Sequence, residues 1–130
     1  MTVSKDLREG VRAVLVDMNV LPFANIFLSA MPSTPDRVAV ITVYPVPLAN
    51  TTGLQVRCRG TAGKTTDAED LADQVETVLH GLRDTAWGDT RLDLLHMVSG
   101  ARMGADGSRR DEVTRNFYAV TSAPSTSLVD

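Results

Sequence analysis

Cysteine, histidine and aromatic residues are scarce in this chain. Its 130 residues include one cysteine and two histidines, and aromatic residues make up 5%. A single cysteine excludes an internal disulfide bond and any zinc site built from several cysteines. With so few rings, the core must consist mainly of aliphatic side chains and methionine.

Long apolar runs are also missing. No run approaches the ~18 residues that a membrane-spanning helix needs, so we expect no membrane contact. Near the N-terminus, Lys5, Asp6, Arg8 and Glu9 stand where a secretory signal would be apolar, which predicts a protein that stays in the cytoplasm in which it is made.

Positive charge is in deficit as well. Sixteen acidic residues outweigh 13 basic ones, giving a net charge of −3. This balance excludes the strongly basic footprint of a protein that binds nucleic acid over its whole surface. The contents of 43% hydrophobic and 22% charged residues are typical of a folded globular protein of one domain.

Apolar periodicity predicts two amphipathic helices and four to five strands. We expect a single α+β domain over residues 1–121, with a mixed, mostly antiparallel sheet and both helices packed on one face. Residues 122–130 are small and polar, so we expect a flexible tail. The predicted helices are 3–18 and 66–82, and the predicted strands are 24–29, 37–44, 54–59, 91–98 and 113–120.

Two of the predicted strands carry informative patterns. Residues 37–44 are apolar on both faces, which favours a central strand. Residues 54–59 alternate, so Cys58 should lie in the core as a structural thiol, with Arg57 and Arg59 exposed on the other face.

The last forty residues predict a long hairpin. The strands 91–98 and 113–120 flank a loop, residues 99–111, that is rich in glycine, arginine and aspartate. Such an arm with an arginine-bearing tip can reach a neighbouring molecule. It resembles a device for assembly more than a catalytic site.

The segment Gly60–Thr65 has the outline of a phosphate-binding loop between a strand and a helix. Backbone N–H groups would surround a phosphate, Lys64 would reach the outer phosphates and Thr65 would bind magnesium. The full motif requires glycine where this chain has Cys58, and the preceding strand is polar on alternate residues. A nucleotide-binding enzyme is therefore disfavoured.

No other residues form a recognisable reactive site. His80 lies at a predicted helix end, and His96 is expected to be packed and hydrogen-bonded within a strand. The acidic pairs Asp70 with Asp73 and Asp106 with Asp111 fit solvated surface. We predict no catalytic residue, no cofactor and no metal, and hence no enzyme.

Arginines on the strand face and in the hairpin could serve three purposes. They could form salt bridges to a neighbouring subunit, contact a nucleic acid backbone, or keep the surface soluble. We favour the first. The candidate interface residues are Arg57, Arg59, Arg102, Arg109, Arg110 and Asp111, with Arg115 as a further basic residue of the arm.

Several short segments, in their order and spacing, resemble the minor capsid or tail terminator proteins of long-tailed bacteriophages. The resemblance covers about residues 1–121 and departs from the family pattern at Ala101-Arg102-Met103, where proline is common. The segments are LQVRCRG at 54–60, VLHGL at 78–82, Ser99-Gly100, Asp106-Gly107 and NFYAV at 116–120.

This resemblance implies a structural virion protein. Its relatives close into a ring, usually a hexamer, that caps the finished tail tube and joins it to the head. The implied partners are further copies of the chain, the tail tube protein and head–tail connector proteins, with DNA passing through the lumen without specific binding. The implied location is the head-proximal end of the tail. Another connector or completion protein, or a small protein-binding adaptor, remains the alternative.

Overall fold

The computed structural model describes residues 2–122, which form two α-helices, one 3₁₀ helix and six strands. In that part of the chain, no helix is both long and apolar enough to cross a membrane. The elements are α1 (Thr2–Asp17), a 3₁₀ helix (Phe23–Asn25), β1 (Ile26–Phe27), β2 (Val38–Pro45), β3 (Thr51–Arg59), α2 (Asp67–Leu79), β4 (Arg83–Trp87), β5 (Thr90–Ala105) and β6 (Asp111–Ser122).

The strands form one sheet in the order β1-β2-β3-β6-β5-β4. Only β1 and β2 are parallel, and the other neighbouring pairs are antiparallel. The predicted α+β class and the mixed, mostly antiparallel sheet are therefore confirmed, but six strands replace the expected four to five. The prediction missed β4, because its polar sequence Arg-Asp-Thr-Ala-Trp has no apolar alternation.

Both helices pack against the same face of the sheet, where their apolar stripes meet the inward residues of the central strands. A fully buried aliphatic side chain of this kind contributes about 1.5–3 kcal/mol. The shared core includes Leu7, Val11 and Leu15 of α1, Leu71, Val75 and Leu79 of α2, and Ile41, Leu54, Val56, Cys58, Leu95 and Phe117 of the sheet. Trp87 lies directly on Gly10 of α1, where any Cβ would collide with the indole ring.

The strand β2 is not central, contrary to the prediction. On its outer side, β1 pairs only with Ala39 and Val40. Within residues 2–122, the rest of that side has no strand partner. The apolar character of β2 on both faces has another cause. On the face without helices, Val38 lies beside Arg59, and the segment 32–36 passes over Arg59.

The predicted loop 99–111 is wrong over most of its length. Pairing between β5 and β6 continues to Ala105 and Asp111, so the turn contains only residues 106–110. Three register shifts each place one extra residue in β5, the last of them between Arg102 and Gly104. Gly104 has φ +80°, a conformation that favours glycine. At the other end β6 includes Ser122, and the remainder of the predicted tail, 123–130, lies outside the described residues.

Candidate functional site: the hairpin end and the open side of the sheet

Three segments meet at one end of the sheet: residues 31–37, 60–65 and 106–110. We call this region the hairpin end. Gly63 N–H donates to the carbonyl of Arg109 at 3.0 Å, and Ala62 N–H donates to the Asp36 carboxylate at 3.2 Å. The Arg110 guanidinium donates to the carbonyl of Ser33 at 2.6 Å. The turn of the hairpin is thus held against the body of the protein by its neighbours.

Arg59 is the buried centre of this end, although it was predicted to be exposed. It is 2% exposed, and its guanidinium donates to the carbonyls of Asp36 (2.9 Å), Pro32 (2.6 Å) and Pro35 (2.6 Å). Burial, with the nearby Arg110 charge, lowers the pKa of Arg59. The alternation in β3 predicted the correct face for Arg59. The sequence of the strand does not indicate that the segment 32–36 covers this face.

Arg110 also forms its contacts within its own chain. Its side chain is 12% exposed and contacts the carboxylates of Asp106 (2.9 Å) and Asp36 (3.3 Å). Asp106 accepts further hydrogen bonds from the backbone N–H groups of Arg110 and Ser108, which lower the pKa of the Asp106 carboxyl despite some desolvation. Asp106 therefore organises the turn. Asp111 contributes a backbone carbonyl, which accepts from Gly60 N–H at 3.0 Å.

The other predicted interface arginines are more accessible. Arg57 is half-buried and pairs with Glu112. Arg102 is 64% exposed in its side chain and contacts Glu69 of α2 at 3.1 Å. Arg109 is exposed at φ +60°, and no ion pair is found for it among the described residues. Arg115, by contrast, is nearly buried against α2, on Asp73 and Glu76.

The loop Gly60–Thr65 does not form a phosphate cradle. The N–H groups of residues 60–64 all donate within the protein, to Asp111 O, Asp67 Oδ2, Asp36 Oδ2, Arg109 O and Thr61 O in turn. The following helix begins with three acidic residues, Asp67, Glu69 and Asp70, which would repel a phosphate. The interpretation of this segment as a nucleotide site thus finds no free backbone donor among residues 60–64. Among residues 2–122, no group of three or more potential ligands is placed to hold a metal ion.

The sheet face opposite the helices carries polar side chains. Gln55, Asn116 and Ser99 form a hydrogen-bonded row across β3, β6 and β5, with distances of 3.0 and 3.1 Å. Beside it, the rings of Tyr118 and His96 meet edge to face with centroids 5.9 Å apart. We call this surface the open face.

The two histidines differ from their predictions. Nδ1 of His96 is buried and has no hydrogen-bond partner in the described part of the chain, although a hydrogen-bonded ring was expected. His80 does follow α2, but its Nδ1 accepts the N–H of Met97 at 3.0 Å, so the ring serves β5 instead of the helix carbonyls.

One candidate feature, the outer edge of β5, was missed by sequence reasoning. The edge is covered by β4 up to Leu94 and by residues 80–82 as far as Met97. From Val98 to Ala105, no strand of the described chain lies on this side, and residues 98–105 are exposed. Regular polar–apolar alternation would have revealed the strand, but bulges and glycines interrupt it.

These features define an α+β domain with an open sheet face, an open edge on β5 and a hairpin turn that is hydrogen-bonded to the rest of the protein. A family model described as bacteriophage tail terminator protein matches residues 7–122. The chain belongs to this family, and the predicted resemblance is confirmed. Membership supports the prediction of a structural, tail-related virion protein.

A solved structure agrees on the fold. A chain of the virion of a native gene transfer agent particle superposes with a TM-score of 0.63 at 14% identity, covering 92% of this chain and 96% of that chain. A search of curated proteins found no match.

Proposed function

We propose that this protein terminates a phage tail. Copies close into a ring on the end of the finished tail tube, stop the addition of tube subunits and present the surface to which the head is joined. The observation that carries this proposal is the family match, which spans residues 7–122 and so includes nearly all of the described domain. Six copies, as in the family it resembles, are the proposed ring size.

The proposed partners follow from that position. They are further copies of the chain, the tail tube protein on one side and head–tail connector proteins on the other. DNA passes through the lumen without specific binding, and the net charge of −3 is compatible with this because it offers phosphates no excess of cations. The protein would lie at the head-proximal end of the virion tail after assembly in the host cytoplasm.

The interface proposal is narrower than the set of six residues predicted from sequence. Arg59 and Arg110 maintain the hairpin end from inside, and Asp111 acts there through its backbone carbonyl. The remaining candidates for contact with another chain are Arg57, Arg102 and Arg109. Of these, Arg109 stands at the tip of the turn and is best placed to meet a partner.

The proposal is tested by letting particles assemble in the absence of the protein and measuring the length of their tails and the joining of heads. We expect tails of uncontrolled length that carry no heads, and normal tails when the wild-type chain is restored. Tails of normal length, joined to heads, in its absence would contradict the proposal.

A charge reversal then tests whether the side chain of Arg109, at the tip of the turn, contacts a partner. Arg109→Glu should leave the subunit folded but lower the yield of head-joined tails at least tenfold, as counted by electron microscopy. Lys5→Glu, an equal charge change on the exposed side of α1, is the matched control and should assemble normally.

A further inference from the structure

On each side of the sheet, the outermost strand is short and leaves an open edge on its neighbour. The first is the outer edge of β5 from Val98 to Ala105. The second is the outer edge of β2 beyond Val40, where β1 has ended. Both statements concern residues 2–122. An open edge carries unpaired backbone N–H and C=O groups, which readily pair with another strand.

The alternation of the ladder shows which groups of β5 are unpaired. Asp111 accepts from Gly60, so its backbone groups point toward β3, and those of Val113, two residues on, do the same. The register partner of Val113 in β5 is Arg102. Arg102 therefore directs its N–H and C=O away from β6, toward the open side. Leu95 has the same orientation, and its outward groups are already bonded to the chain after α2.

In β2, too, the backbone groups of alternate residues point to the open side. Ala39 directs its backbone groups toward β1, with which it is paired at Ile26. By alternation, Ile41 and Val43 point the same way, but β1 does not extend to them. Their backbone groups are the unpaired ones on this edge.

We propose that β5 of one copy pairs with β2 of the next, so that a continuous sheet runs from subunit to subunit around the ring. The proposal rests on the ring proposed above and names its copy-to-copy contact. The partner is a second copy of this chain, joined mainly by backbone hydrogen bonds between the two open edges.

The directions of the strands are suitable for this contact. From β2 through β3 and β6 to β5, each step is antiparallel, so β2 and β5 run in opposite directions. Placing β5 beside β2 of another copy continues the antiparallel pattern. Because the two edges are different surfaces of one chain, the contact is heterologous. Such contacts form rings when the rotation between copies closes and filaments when it does not.

The two open edges are also offset along the strands. The registers Ala101 with Thr114, Thr114 with Arg57 and Arg57 with Val40 place the middle of the β5 edge level with Val40. The middle of the β2 edge lies three residues further, near Val43, which is an offset of about 10 Å at about 3.4 Å per residue. A closed sheet requires such a stagger between its ends, because its strands tilt against the ring axis.

The β5 edge has two bulges, at Val98 and Met103, but little of the chemical protection that edge strands carry against pairing. Between Val98 and Ala105 there is no proline and no lysine, and Arg102 is the sole charge. Val98 and Met103 expose 40% and 56% of their surface along it. A strand paired along this edge would reduce the exposure of both.

The first test removes one outward N–H. Arg102→Pro eliminates the donor, and proline is tolerated on a strand edge when its missing N–H faces solvent. Arg102→Ala is the matched control, because it loses the same side chain and its exposed ion pair but keeps the N–H. Ring formation is measured by light scattering and electron microscopy, alone and with tail tubes of the same particle, and circular dichroism checks the fold.

We expect Arg102→Pro to form at least tenfold fewer rings than Arg102→Ala, because the two variants lack the same side chain and differ in the N–H. Equal ring yields of the two variants would contradict the contact. If the wild type and both variants form rings equally, the β5–β2 contact is wrong and the ring proposal stands. If the wild type forms no ring even on tail tubes, the ring proposal fails, and the contact fails with it.

A second test does not depend on proline. In Val43→Cys/Arg102→Cys, the two new thiols lie on facing edges of neighbouring copies, and the native Cys58 is buried and does not compete. Mild oxidation should give a ladder of disulfide-linked species up to the ring, whereas each single variant should stay largely unlinked. Efficient dimers of Arg102→Cys alone would mean that two β5 edges pair with each other, which would overturn the proposal.

Discussion

The two faces of the sheet have opposite roles. The helix-covered face is closed by aliphatic side chains from α1 and α2, with Phe117 at its centre. The open face carries the row of Gln55, Asn116 and Ser99 and keeps much of its area in contact with solvent. The difference indicates that the helix-covered face contributes most of the apolar burial, so substitutions on the two faces should differ in their effect on stability.

Substitutions of two adjacent residues of β6, one on each face of the sheet, should show the largest difference in stability between the faces. Phe117 is fully buried, and Phe117→Ala should lower the free energy of unfolding by about 3–5 kcal/mol. Its neighbour Tyr118 lies on the open face, and Tyr118→Ala should cost about 1–2 kcal/mol, including the contact with His96. Urea unfolding of both variants measures the difference, and equal losses would show that the open face is also covered.

The open face is buried around Arg59, and substitutions of two arginines of β3 test this exception. Arg59→Met would leave three carbonyls without their donor, and we expect a loss of about 3–5 kcal/mol. Arg57→Met, on the same face two residues earlier, removes a half-exposed pair and should cost about 1 kcal/mol. A small effect at Arg59 in the same urea experiment would mean that segment 32–36 contributes little to stability.

The hairpin turn should make stability depend on pH. The folded state lowers the pKa of Asp106 from 3.8, chiefly through the N–H of Arg110, so the unfolded chain binds a proton more readily. The stabilisation is complete above the unfolded pKa and disappears as the pH falls through the folded one. Urea midpoints of wild type and Asp106→Asn should therefore differ at pH 6 and converge toward pH 3. A constant difference would exclude this role of the charge.

The reactivity of the Cys58 thiol tests whether the core excludes solvent, and this test needs no substitution. Burial raises the pKa of this thiol to about 12, an effect that the charges of Arg115 and Arg37 only partly offset. We expect almost no labelling by a thiol reagent at pH 8 in the native protein and complete labelling in urea. Rapid native labelling would contradict the burial of this face.

Much of the fold could be predicted because it depends on local periodicity. The helices α1 and α2 and the strands β2 and β3 all lie close to their predicted positions, since their apolar residues recur at helix or strand spacing. The second half of β5 could not be predicted, because its strand conformation comes from pairing with β6 and its sequence is rich in glycine and exposed residues.

The candidate site was less predictable than the fold. The pattern of β3 assigned Arg59 to the correct face, but its burial results from contacts with Pro32, Pro35 and Asp36, which are distant in sequence. The open edge was missed for a similar reason. An edge is defined by which strands are absent beside it, and this depends on the order of all strands in the sheet.

The most direct test of the whole account is the mass of the protein in solution, measured by light scattering over a wide concentration range, together with electron microscopy of isolated tail tubes to which the protein has been added. The account predicts closed rings with a central hole, free or on one end of each tube, with a mass about six times that of the 14.0 kDa chain. A monomer at every concentration, and tubes whose ends carry no ring, would contradict it.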